Sequence, residues 1–147
     1  MMVKEVMRPT RPVPEEATLF DVLEAIQSSG SEVVPIVEQP NGSGSPVVRQ
    51  LVAVRDLPKL TELAGWGTRG HAVGRSVQDL LAALGRRPGR IPTVTPKSAL
   101  ADAWGLMCEQ CLNHLPVVED SEVVGIVSLV VTWSEFPYNS PTAGFVA

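Results

Sequence analysis

The chain has 147 residues, 44% of them hydrophobic, which is enough to bury the core of one ordinary domain or two very small ones and excludes a disordered chain. Asp and Glu number 16 against 12 Lys and Arg; the formal net charge of -4 argues against a generic nucleic-acid binder, which needs surplus cations to displace counterions. No apolar run approaches the ~20 residues that span a bilayer, Met1-Met2-Val3-Lys4-Glu5 lacks a signal-peptide apolar stretch, and two cysteines make no disulfide scaffold, so a reducing cytoplasm is the default compartment.

Taken in chain order, the elements come twice. A short helical lead-in, Val3-Lys-Glu-Val-Met7, is followed by a brief extended piece at Arg11 to Val13. Thr18, with Asp21 three residues on, then caps an amphipathic helix whose apolar stripe is Leu19, Val22, Leu23 and Ile26, and Ser28-Ser29-Gly30 stops it. Two β-branched runs, Val33 to Val37 and Leu51 to Val54, read as strands, and Asp56 to Leu63 as a closing helix. The second series has a lead-in at Val77 to Leu81 and an extended piece at Pro92 to Val94. Its first helix is capped by Ser98 with the stripe Leu100, Ala103, Trp104 and Met107; strands Leu115 to Val118 and Val123 to Val127 and a helix Leu129 to Phe136 complete it. The apolar runs hardly alternate, so both faces of each sheet should be covered.

The two series are one text repeated. Val13, Leu19, Asp21, Pro35, Val37 and Glu38 stand 81 residues before Val94, Leu100, Asp102, Pro116, Val118 and Glu119. Beyond the longer loop of the first copy the offset falls to 75, so that Gln50-Leu-Val-Ala-Val faces Gly125-Ile-Val-Ser-Leu. The division is a first repeat over residues 1–65, a linker over 66–75, a second repeat over 76–136 and a loosely ordered tail over 137–147. Halves of this size are marginal alone and should pack on one another. Charge follows the division: -3 up to Gly65, +4 from Trp66 to Pro96, and -5 from Lys97 onward.

This order of elements, with Val-x-x-Val-Met, Thr-Leu-x-x-Val, Pro-Ile-Val and a strand ending in x-x-Asp-Leu, resembles a CBS domain, and its repetition over about Val3 to Phe136 resembles a CBS domain pair, or Bateman module. The resemblance implies an α+β fold of two β-α-β-β-α repeats packed through their sheets with pseudo-two-fold symmetry. It implies a non-catalytic regulatory protein, pairing of modules into a homodimer, and two clefts that hold adenosine ligands such as AMP, ATP or S-adenosylmethionine.

The family's ligand signature is Gly-h-x-Ser/Thr-x-x-Asp, with h apolar. The hydroxyl suits a phosphate, and the carboxylate accepts hydrogen bonds from ribose hydroxyls. Neither copy here is complete: Gly125 to Val131 keeps the Gly and Ser128 but has Val131 in place of the acid, and Gln50 to Asp56 keeps Asp56 but has Ala53 for the hydroxyl. The resemblance therefore points to a first cleft containing Asp56 and Arg55, walled by Thr10, Arg11, Pro12 and Val13 and by Val33, Val34 and Pro35. A second cleft has Asn113, His114 and Ser128 and, with Val131, no ribose ligand. Glu32, where some nucleotide-binding relatives are basic, would repel a phosphate. Two plainer readings stand beside these: Asp56 as an acid offsetting a helix dipole, and Ser128 as an N-cap.

Other features weigh less. Cys108-x-x-Cys111-x-x-His114 offers three zinc ligands where a structural site wants four, so two small half-buried cysteines are the expectation, with no metal. Arg69, Arg75, Arg86, Arg87 and Arg90 are a solvated linker, or in part a lining of the cleft. Trp66 is core or a dimer anchor. Asn41-Gly-Ser-Gly-Ser lacks the Walker lysine and is a hairpin loop. No catalytic constellation appears, so an enzyme is not expected. The readings left are a ligand-sensing module and, alternatively, a degenerate pair that binds no nucleotide and serves for dimerisation or for docking a regulated protein.

Overall fold

The computed structural model describes residues 1–38, 47–65 and 75–132. The hairpin loop expected over 39–46, Trp66, Arg69, the expected end of the last helix and the expected tail lie outside them. The fold is α+β, with a three-stranded sheet in the order β1-β2-β3 and a two-stranded sheet β4-β5.

In the first half β1 (Val13–Pro14) runs parallel to β2 (Val33–Glu38), and β2 is antiparallel to β3 (Val47–Ala53). Helix α1 (Leu19–Ser29) starts where Thr18 N–H donates to the Asp21 carboxylate at 3.0 Å and ends at Gly30, whose φ of 69° is left-handed. Leu19, Val22 and Ala25 face the core, and α2 (Leu57–Leu63) closes the half behind a 3-10 turn at Val54–Asp56. In the second half α4 (Leu100–Gln110) precedes β4 (His114–Glu119) and β5 (Glu122–Ser128), and residues 129–132 open a fifth helix, α5. The N-cap of α4 is Ala99 rather than Ser98, whose hydroxyl instead accepts from Thr95 N–H at 3.0 Å.

Irregularities repeat along with the regular elements. The β2/β3 ladder slips between Ile36 and Val37, and β4/β5 slips between Val117 and Val118, 81 residues on. Cys111 sits at the position of Gly30 and shares its left-handed conformation, with φ 55°. The prolines inside the strands are tolerated for a local reason. Pro116 contributes only its carbonyl, which accepts from Val94 N–H at 3.1 Å, while Val118 N–H returns to Val94 at 2.8 Å; no donor is missed there. β2 is buried along nearly its whole length, as a strand covered on both faces should be, whereas β3 alternates.

The lead-ins are exchanged between the halves. Val3, in the 3-10 turn Val3–Glu5, donates its N–H to Ser98 at 2.9 Å and is fully buried against Val94, Leu100, Ala103, Met107 and Leu115 of the second half. Helix α3 (Val77–Ala83), although it follows the 66–75 connection, packs on the first half: Val77 N–H bonds Ala17 at 2.7 Å, and Val77, Leu80 and Leu81 join Val13, Leu19, Val22 and Leu60 in one core. A third apolar cluster of Val37, Val48 and Val123, with Leu51, Ile91 and Val118 against it, joins the two hairpins. Among the described residues no helix is long and apolar enough to cross a membrane.

Candidate functional site: two related clefts with different contents

The first lead-in, having packed on the second half, must cross β5 to reach its own sheet. Arg8 N–H donates to Ile126 at 2.9 Å and Ile126 N–H to Arg8 at 2.8 Å. This crossing needs Gly125: a Cβ there would lie 2.9 Å from the Arg8 carbonyl oxygen and 3.2 Å from Met7 Sδ. The signature glycine of the second repeat thus has a steric cause in the chain that passes over it.

The crossing leaves an open cavity of about 420 Å³ between the halves. Val6 and Arg8 line it from the lead-in, Gly30 to Val33 from the entry to β2, and Asn113 and His114 from the entry to β4. Ile126, Ser128, Val130 and Val131 close it from β5 and α5. Its polar groups are held in place. Ser31 Oγ donates to Val33 O at 2.7 Å and accepts from Val33 N at 3.2 Å, which fixes the β2 entry. Asn113 O accepts from Leu129 N–H at 2.8 Å. Ser128 Oγ accepts from Val131 N–H at 3.1 Å, an N-cap bond that leaves its own proton as a donor. Burial and the nearby Arg55 charge hold the His114 imidazole below its ordinary value, and Glu32 offsets part of this. Among the described lining residues the cavity thus carries Arg8 as an exposed cation and Glu32 as an exposed carboxylate, with Arg55 close enough to act on His114, whose imidazole is neutral at physiological pH.

The structure divides the residues singled out from sequence in its own way. Val33, Asn113, His114 and Ser128 meet in this cavity. Thr10 flanks it by donating its hydroxyl to Val33 O at 3.1 Å. Arg11 turns along α1 toward Ser28 (3.3 Å) and Glu24 (3.9 Å), and Pro12 is half-buried. Val13 and Val34 belong to the first core and Pro35 is buried. Arg8, Val6 and Ser31 escaped the sequence reading, because nothing along the chain tells that a lead-in serves the opposite half.

Asp56 stands at the repeat-related position, 75 residues before Val131, and it is occupied. Arg86 Nη2 lies 2.6 Å from Asp56 Oδ1 and Arg86 Nη1 3.1 Å from Oδ2, and Oδ2 also accepts from Ala53 N–H at 2.9 Å. Burial pushes this carboxyl up, but the Arg86 hydrogen bonds, the Ala53 N–H and the charges of Arg86 and Arg55 outweigh it and hold the group below the usual carboxylate range. Thus the open cavity lacks the acid, and the acid of the first repeat is already ion-paired to Arg86 and does not line that cavity. The cysteines are both exposed rather than half-buried, and among the described residues no cluster of His, Cys, Asp or Glu could hold a metal.

Residues 77–130 match the family model of the CBS domain. The fold is that of solved CBS structures. A CBS domain-containing protein of unknown function from Kribbella flavida superposes with a TM-score of 0.64 at 13% identity, covering 92% of this chain and 97% of that one. CBSX2 in complex with AMP gives 0.55 at 23%, covering 91% and 94%. The CBS domain of a bacterial CNNM/CorC family Mg2+ transporter in complex with ATP gives 0.59 at 18%, covering 92% and 86%. No curated protein matches the chain. Residues 77–130 are therefore a CBS domain. The rest of the chain shares the fold of solved CBS structures, and residues 13–38 repeat the second series at an 81-residue offset.

Proposed function

We propose that the protein is a non-catalytic regulatory module that senses an adenosine nucleotide, AMP or ATP, in the cavity at Ser128. The observation that carries this reading is that the cavity is lined from both halves, so that a molecule seated there touches the lead-in, β2, β4 and β5 at once. Its volume of about 420 Å³ suits a mononucleotide. Arg8 supplies the cation for a phosphate, Ser128 and Asn113 supply hydrogen-bond partners, and Glu32 takes over as carboxylate where Val131 cannot serve. AMP in CBSX2 and ATP in the transporter domain support the ligand class. A ligand that bridges the halves stabilises one relative orientation, which a regulated partner reads. Two modules pair through exposed apolar side chains such as Phe20 and Val130, 66% and 77% exposed.

AMP or ATP at millimolar concentration raises the melting temperature of the protein, and Arg8→Glu abolishes the rise; S-adenosylmethionine serves as the comparison ligand without a phosphate. Absence of any shift with AMP and ATP favours the second reading, a dimerisation or docking module without nucleotide. Val131 and the engaged Asp56 are the observations that favour that second reading. Sedimentation at micromolar concentration tests the pairing, and a monomer overturns it.

A further inference from the structure

The two repeat-related positions differ in their surroundings: Val131 lines the open cavity, whereas Asp56 meets Arg86, which lies in a connection seven residues longer than that of the first copy. From Met7 to Val13 the first copy takes six steps, while from Leu81 to Val94 the second takes thirteen. The added stretch begins with a built turn. Gly85, at φ 83°, ends α3; its N–H bonds Ala82 O at 2.9 Å, and Arg86 N–H bonds Leu81 O at 3.0 Å. This closure fixes the backbone of Arg86 before its side chain reaches anything. Further on the stretch runs along β3, with Gly89 N–H on Arg49 O at 3.3 Å and Ile91 N–H on Val48 O at 2.8 Å. In the first copy the lead-in crosses beside Gly125; the repeat-related position here is Gln50, buried and too large to be passed in the same way.

We infer that Arg86 is a built-in occupant of the Asp56 cleft, an intramolecular plug that leaves the chain with one ligand site instead of two. The pair is bidentate, at 2.6 and 3.1 Å, and it engages both oxygens of the carboxylate. The Asp56 side chain is 11% exposed and that of Arg86 39%, so the acid is the more enclosed partner and Arg86 covers part of it. A ligand whose hydroxyl groups need this carboxylate must first displace a partner held at the effective concentration of a short, anchored turn. The ligand class rests on the reading proposed above; the plug does not.

Equilibrium dialysis with AMP and with ATP compares the unaltered protein with Arg86→Ala and with Arg86→Gln, which keeps side-chain length without charge. Each folded variant binds one more equivalent per chain than the unaltered protein. No additional equivalent overturns the inference. If the unaltered protein binds none and the variants bind one, the Ser128 cavity fails as the nucleotide site while the plug stands. Carbodiimide-coupled labelling of Asp56, read by mass spectrometry without any nucleotide, is low in the unaltered protein and rises several-fold in Arg86→Gln. Equal labelling in both also overturns the inference.

Discussion

The carbonyl oxygen of Arg8 passes 2.9 Å from the point where a side chain at residue 125 would begin, so the path of the first lead-in and the identity of Gly125 determine each other. Gly125 has no unusual backbone angle to defend; its role is to let another strand of backbone come close. Gly125→Ala therefore destabilises the protein by about 1–3 kcal/mol through overpacking, read as a fall in urea midpoint, and weakens any ligand of the cavity. Gly105, exposed within α4 with open space around it, is the control: Gly105→Ala stabilises by up to about 1 kcal/mol.

The exchange of lead-ins gives a second prediction. Val3→Ala, at the very start of the chain, costs about 2 kcal/mol because it empties space in the second core, and Leu81→Ala costs about 2–5 kcal/mol from the first. A fragment of residues 77–130 alone lacks Val3 and carries α3 without its partners. Circular dichroism and proteolysis should find it unfolded.

Asp56→Ala removes two charge-assisted bonds and the Ala53 N–H bond. Because Arg86 is partly exposed and can regain water, the cost is about 1–2 kcal/mol rather than that of a fully buried pair. The carboxyl is held below its usual range, so its stabilisation is complete above about pH 3.9 and is lost as pH falls through the lowered folded value. The acid limb of the unaltered protein should flatten in Asp56→Asn.

His114 gives a pH dependence on the acid side of neutrality. Its folded value is lowered by burial and by Arg55, so the protein keeps full stability above about pH 6.5 and loses part of it as pH falls toward the lowered value. Glu15, pushed up by burial, acts in the opposite sense: its contribution is present in acid and lost as pH rises through its raised value. His114→Gln should remove the slope that begins just below pH 6.5 while leaving the more acidic behaviour unchanged. An anion seated in the cavity would favour imidazolium, so AMP binds more tightly at pH 6 than at pH 8, checked by calorimetry in two buffers.

Much of this was legible in the residues. The 81-residue offset located both helices and both hairpins, Thr18 with Asp21 announced the start of α1, and the alignment of Cys111 with Gly30 marked a helix end that the left-handed φ of 55° bears out. Ser98 misled because Thr95 competes for its hydroxyl. The partnership of Asp56 with Arg86, thirty residues apart, has no periodicity to announce it. Sequence order groups each lead-in with the half it precedes, because it says nothing about which side of a pseudo-symmetric pair a short segment crosses to. That one ambiguity redistributed the site: Val33 sits with Ser128, and Asp56 sits elsewhere.

The exchange also sets an order of events during synthesis. Residues 3–7 leave the ribosome well before their partners, because the surface that buries Val3 is assembled from Val94 to Leu129. The first core, by contrast, is complete once α3 has emerged. Folding should therefore proceed in two stages: an early core spanning Val13 to Leu84, and a late one that closes a loop of over ninety residues between Val3 and its partners. Until then Val3, Val6 and Met7 are a short apolar stretch without its cover beside a folded body, a target for a chaperone.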